Sequence, residues 1–423
     1  MKIKVASLIS ALWAFSTLLY AFRGKLGAIM ITICIIASIP YLLRQTKKDR
    51  SWASIYAALF LLVFAVVVNI FRSISLEYYL IIGYFATALV LLNYRIDYFN
   101  DMWKWFKGIA VFEAIGVYMQ FFLPSLYYPI ISIVLPGEVV ASIQSRLLSG
   151  YYTGFSHEVS FTMFLIVVGL GLYIYEINSD KKAKKWIPIV LLVGALFISG
   201  KRATQLFFII ALFVTQFIRS DDKLKLLKYS GIAAAGLAAI WFSYPWWSKI
   251  PAFERINQLI SFYSSNDIIG MTSGRTVIYE NAIKLWQTNK WFGIGWGNFK
   301  YSVSDMLWYS GFDVHNCFLQ ILCETGIIGL VFYSILILIV LFNSIRCVLL
   351  VRRFGVHSEY NLSVFYCYIQ IFFILYSITE PILYEYTDYF IFFVCFNCSN
   401  LLLKNKGQKK QDNYSKLLIV NPY

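Results

Sequence analysis

Apolar stretches of 16 to 25 residues recur from one end of this sequence to the other, most of them separated by only a few polar residues. Crossing a bilayer as a helix takes roughly 20 such residues. Composition agrees: 14% of the 423 residues are charged, against about 25% in soluble domains, and the mean hydropathy is +0.66. The expected fold is all-α, a polytopic integral membrane protein.

The opening "MKIKVASLISALWAFSTLLYAF" has the basic start and apolar run of a signal peptide. No small-x-small site closes the run, and a second run follows at once, so it reads as an uncleaved first span. Seven cysteines form an odd set lying almost entirely in apolar runs, which is no disulfide framework. Cys395 and Cys398 form a CxxC without a second pair, and buried packing explains them better than metal.

Twelve helical spans are expected, at 5–22, 27–43, 52–71, 77–93, 106–123, 158–176, 186–200, 203–218, 229–247, 326–350, 362–379 and 385–403. The chain then divides into a nine-helix membrane region (1–247), a large extracytoplasmic loop (248–325), C-terminal membrane helices (326–403) and a basic cytoplasmic tail (404–423). With the N-terminus in the cytoplasm, 25 of the 37 cations fall on the inner side. The net charge of +15 thus reflects topology, and nucleic acid is not expected as a partner.

Among the twelve outer cations are Lys201 and Arg202, in the short turn "FISGKRATQLFF". They either meet an anionic partner or snorkel as an interfacial pair beside lipid phosphate. In the large loop, "SGRTVIYENAIKLWQT" has Ser273 as an expected N-cap and an apolar face of Ile278, Ala282, Leu285 and Trp286. Arg275 falls in the first turn, where free backbone N–H groups favour an anion and a guanidinium adds a fork for phosphate oxygens. Pairing with Glu280 is the alternative.

"WFGIGWGNF" carries Gly293, Gly295 and Gly297, spaced unlike either nucleotide-binding loop, so a helix stop with tight turns is expected. In "GFDVHNCFLQILCETGIIGL", Asp313 is the expected cap of a helix starting at His315–Asn316. An imidazole there can take a proton from a sugar hydroxyl, and Asn316 can orient it; an amphipathic boundary histidine is the plain alternative. The usual parts for metal–nucleotide binding, ATP use and serine hydrolysis are missing. One acid, Glu113, lies well inside an expected span, where proton-coupled carriers need several.

Taken in order, "SGKR", "SGR", "GIGWGNF" and "VHNCFLQILCETGIIG" resemble the shared region of O-antigen ligases and O-antigen or capsule polymerases, over about residues 190–345. The resemblance implies a GT-C-like, all-helical membrane glycosyltransferase of the bacterial inner membrane, with its active site facing outward. It implies a glycan on undecaprenyl diphosphate as donor and a sugar hydroxyl as acceptor, on a lipid-linked repeat unit or lipid A–core, amid membrane lipid and with neither cofactor nor metal. By position it implies Arg202 (or Lys201) and Arg275 on the diphosphate and His315 activating the acceptor. Arg146 and "GFSHEVSF" (His157, Glu158) resemble a stretch of polymerases, which adds Arg146 and Glu158 to the substrate-binding candidates beside Lys201 and Asn316.

Three functions remain open at this stage. A polymerase moves the growing chain onto a new lipid-linked unit, and a chain-length regulator is its possible partner. A ligase moves the finished chain onto lipid A–core, and a flippase or exporter makes no bond. "FSHEVSF" favours the polymerase.

Overall fold

The structure, a computed structural model, describes residues 5–22, 24–44, 96–156, 158–177, 186–222, 274–303, 313–354 and 356–420, with isolated positions in 59–87 and 224–265. The expected spans 52–71, 77–93 and 229–247 lie almost wholly outside the described residues, as do His157 and Ser273. The described residues form helices and contain no strand. These are α1 (Val5–Phe22), α2 (Gly24–Arg44), α3 (Ile96–Phe122), α4 (Pro124–Val134), α5 (Gly137–Leu148), α6 (Val159–Ile177) and α7 (Trp186–Ile198). They continue with α8 (Arg202–Arg219), α9 (Arg275–Thr288), α10 (Phe299–Ser302), α11 (Cys317–Phe354), α12 (His357–Tyr376) and α13 (Tyr386–Val420).

Among the described residues, four helices are long and apolar enough to cross a membrane: Val159–Glu176, Arg202–Arg219, Cys317–Arg353 and Tyr386–Lys404. They divide by burial. The apolar window of α13 is 89% buried and that of α8 only 22%, so α13 is core and α8 faces outward. On α8 the exposed residues Leu206, Ile209, Phe213 and Phe217 recur every three or four positions, forming a stripe that water would reject and lipid accepts.

The core is a slab of α3, α6, α12 and α13. Its α12 is rich in rings, among them Phe365, Tyr366, Tyr368, Phe372, Phe373 and Tyr376, all buried. Phe373 meets Phe392 of α13 at 4.4 Å between centroids, and Phe372 stacks on Tyr376 at 5.3 Å. Small residues let the helices close up: a Cβ on Gly169 would sit 2.4 Å from that of Ala110, and one on Gly171 would meet Tyr368 at 2.5 Å. All seven cysteines are buried, Cys395 and Cys398 within this packing.

Segment 124–157, a long connection between expected spans, begins as the short helices α4 and α5, whose Tyr127, Ile131 and Ile143 form their own small core. The helix expected from His315–Asn316 is present: α11 starts at Cys317 and bends at Gly326, where the span was expected to begin. Glu324 therefore joins Glu113 as a buried acid within a long helix.

Charged pairs mark one end of the bundle. Lys107 pairs with Glu176, Arg352 with Asp221, and the Arg219 carbonyl accepts from the Tyr360 hydroxyl at 3.4 Å. These cations belong to the set that charge distribution assigns to the inner side. Nineteen residues of α6 separate Glu176's end from the opposite one, a rise of about 28 Å.

Candidate active site

At that opposite end five chain segments converge: the start of α6, the turn before α8, the start of α9, the run into α11 and the turn joining α12 to α13. Their meeting point is the carboxylate of Glu380, whose side chain is only 2% exposed.

Lys201 reaches it through a tight turn. Gly200 takes a left-handed conformation (φ 74°) that a side chain would resist, and the Lys201 N–H donates to Ser199 Oγ at 3.2 Å. The turn throws the Lys201 side chain inward rather than out to snorkel. Its Nζ lies 2.8 Å from Glu380 Oε1 and donates to Ser160 Oγ at 2.7 Å. Ser160 in turn donates to Glu380 Oε2 at 2.8 Å, and its carbonyl accepts from the Tyr376 hydroxyl at 2.9 Å. A buried ammonium is tolerable only with such partners.

Arg275 opens α9 as expected, but its cap position is Gly274, in a left-handed conformation and without a side-chain cap bond. Ile278 and Ala282 are buried as the periodicity indicates. The guanidinium makes a single long contact with Glu380 Oε1, at 3.5 Å. The acid the fold supplies to Arg275 is thus a glutamate a hundred positions beyond Glu280, the expected alternative partner. Burial alone would raise the Glu380 carboxyl, but the Lys201 ammonium and then the Arg275 guanidinium outweigh it and hold it below the usual carboxylate range.

His315 stands just before α11 with φ 53°, the sole non-glycine residue of positive φ among the described residues. Histidine enters that region more readily than most residues, but at a cost that tends to be found at working sites. The hydroxyl of Tyr279, from α9, donates to the His315 carbonyl at 3.1 Å, and the Cys317 N–H donates to the Ser377 carbonyl at 2.8 Å. These bonds tie the histidine to α9 and to Glu380's turn. Burial, then the Arg275 guanidinium, push the imidazole down to about 4, with Glu380 opposing and Lys201 and Arg146 adding to the descent. Its Nδ1 is buried without a hydrogen bond. A neutral imidazole of this kind is a base at pH 7.

The other candidates fall around this centre. Asn316, not Asp313, caps α11: its Oδ1 accepts from the Leu319 N–H at 3.0 Å, while Asp313 accepts from Gln320 at 3.1 Å. Arg146, in the last turn of α5, pairs with Glu158. Arg202, half-buried, is the first residue of α8, and Lys201 beside it contacts Glu380.

Two acids set loops beside the site. Glu113 Oε2 accepts from the Phe155 N–H at 3.1 Å, and Gln120 Oε1 accepts from the Thr153 N–H at 2.8 Å, which fixes the segment leading to Glu158. The glycine-rich turns close around Glu324. Its carboxyl accepts from the N–H groups of Gly297 (3.0 Å) and Phe299 (3.3 Å) and pairs with the Tyr384 hydroxyl. The loop's inward N–H groups are therefore met by the protein's own side chain and not left for a phosphate.

Sequence reasoning missed Glu380, Ser160 and Tyr376. The available signal was "SITEPILYEYTD", three acids in and after the short turn joining α12 to α13, while Lys201 and Arg202 have no acid nearby in sequence. None of the curated proteins matches this chain. Residues 187–334, which hold Lys201, Arg202, Arg275 and His315, match the family model described as O-antigen ligase.

Proposed function

We propose, from the match of residues 187–334 to the O-antigen ligase family model and from helices long and apolar enough to cross a membrane, that this chain polymerises lipid-linked polysaccharide repeat units at the outer leaflet. The donor is a glycan on undecaprenyl diphosphate and the acceptor a sugar hydroxyl. The observation that carries the reading is the gathering of Lys201, Arg275 and His315 around one buried carboxylate. Two cations beside a neutral base are what a displacement with a diphosphate leaving group requires.

In that displacement the acceptor oxygen attacks the anomeric carbon while the bond from that carbon to the phosphate oxygen breaks. The electron pair leaves with the diphosphate, where Arg275 and Lys201 meet the growing charge. Removing one well-placed donor of this kind costs about 3 to 4 kcal/mol in barrier. His315 takes the hydroxyl proton, and a single displacement inverts the anomeric centre. Arg146, Glu158 and Arg202 line the approach as binding groups.

The family description favours a second reading, a ligase whose acceptor is lipid A–core, with identical chemistry at the donor. Purified protein in liposomes with a single undecaprenyl-diphosphate repeat unit separates the two. A ladder of products from that substrate alone means polymerase; transfer only after lipid A–core is added means ligase. Movement of the lipid-linked sugar between leaflets without any bond formed overturns both. Lys201→Gln should lower turnover more than Arg202→Gln, and the reverse order would move the diphosphate contact to Arg202.

A further inference from the structure

Glu380 presents a difficulty for an anion-binding site. Its carboxylate sits where a phosphate would sit, with Oε1 shared between Lys201 Nζ (2.8 Å) and Arg275 (3.5 Å) and Oε2 held by Ser160 (2.8 Å). A diphosphate drawn to the two cations meets this negative charge at the same point. A permanent strut would be expected to grip both cations with full bonds, bidentate in the case of a guanidinium. Here the grip is uneven: close on the buried lysine, long and single on an arginine whose side chain is 26% exposed.

The backbone at Glu380 is also unlike that of a fixed helix interior. It lies past the end of α12, in the turn Ser377–Glu385 that runs through Pro381 and the 3-10 segment Ile382–Tyr384. Its side chain can shift without breaking either long helix.

We propose that Glu380 is an exchangeable counter-ion: it occupies the anion slot between Lys201 and Arg275 in the empty site, yields it to the diphosphate of the donor, and reclaims it as the lipid diphosphate departs. This rests on the function proposed above. The carboxylate gives a buried lysine its counter-ion between turnovers, and by competing for the same two cations it prevents the spent lipid from remaining bound. Glu380 acts through those cations and is a positioning residue, not a catalytic one.

The test is direct binding of undecaprenyl diphosphate to the full-length protein in nanodiscs, together with steady-state kinetics. Glu380→Gln keeps the shape and the acceptor for Ser160 but removes the competing charge. It should bind undecaprenyl diphosphate about tenfold more tightly, the effect of roughly one ionic contact, with a lower donor KM, a lower kcat and stronger product inhibition. Ser160→Ala, which loosens the carboxylate and leaves both cations, should move binding the same way by about threefold and guards against a folding defect in the first variant. Weaker or unchanged binding in both variants, with wild-type binding intact, makes Glu380 a fixed strut and overturns the proposal while leaving the function standing. Failure of the wild type to bind undecaprenyl diphosphate overturns the functional reading and this inference with it.

Discussion

An imidazole that burial and three nearby cations keep unprotonated is available as a base well below neutrality. In the base role proposed for His315 the active form is the neutral one, so kcat/KM should fall as pH drops through about 4, not through the ordinary histidine value near 6.5. Arg275→Gln removes the strongest of the cations that lower it and should move that acid limb upward, part of the way to 6.5; a wild-type limb near 6.5 would show that the surroundings do not hold the imidazole down. His315→Asn should cost 10² to 10⁴-fold in rate, roughly the worth of a general base, with little loss of thermal stability, because asparagine also accepts positive φ. Arg275 and His315 stood out in the sequence because each follows a turn and begins a helix. Glu380 did not, because an acid after a helix is ordinary and its partners lie 105 and 179 positions away. Only the folded chain brings them together.

At the scale of elements, the bend in α11 decides whether the loop before it can dock. Gly326 has φ 71°, and a Cβ there would lie 2.2 Å from the Trp291 carbonyl oxygen. The gap lets the Ile327 N–H donate to the Lys290 carbonyl at 2.9 Å, and Ile294 and Gly295 donate to the carbonyls of Cys323 and Glu324 at 3.0 and 2.8 Å. Gly326→Ala should therefore lower stability by about 3 kcal/mol or more, combining backbone strain with backbone overlap, and a melting curve of purified protein would register it; an unchanged melting temperature would show that the loop docks by other means. The glycines of this loop were legible as turns, and their spacing argued against a nucleotide site. What fills their concave face was not legible, because nothing in the sequence sets the helix expected from His315–Asn316 against this loop; only the folded chain brings Glu324 to the N–H groups of Gly297 and Phe299.

For the whole molecule, runs of apolar residues announced the helices, yet gave no order of neighbours. An apolar side chain is equally at home against lipid or another helix, so the burial of α13 and the exposure of α8 could not be told apart by hydropathy. Contacts such as Gly169 on Ala110 settle which faces meet. The sidedness expected from charge distribution is open to a direct check. With every native cysteine buried, labelling with an impermeant maleimide should have little background. Ser149→Cys should react in intact cells, and Asp222→Cys only after the membrane is permeabilised; the opposite pattern would turn the site to the cytoplasm.

The stripe Leu206, Ile209, Phe213 and Phe217 on α8 begins within two turns of Lys201, the residue that precedes the helix. On the function proposed above, a polyprenyl tail can stay dissolved in the bilayer while its head group is handled, so that the search for substrate is confined to a plane. The relevant concentration is then donor per unit area. Diluting the donor with inert lipid at constant bulk amount should slow the reaction, and adding more vesicles of unchanged composition should not.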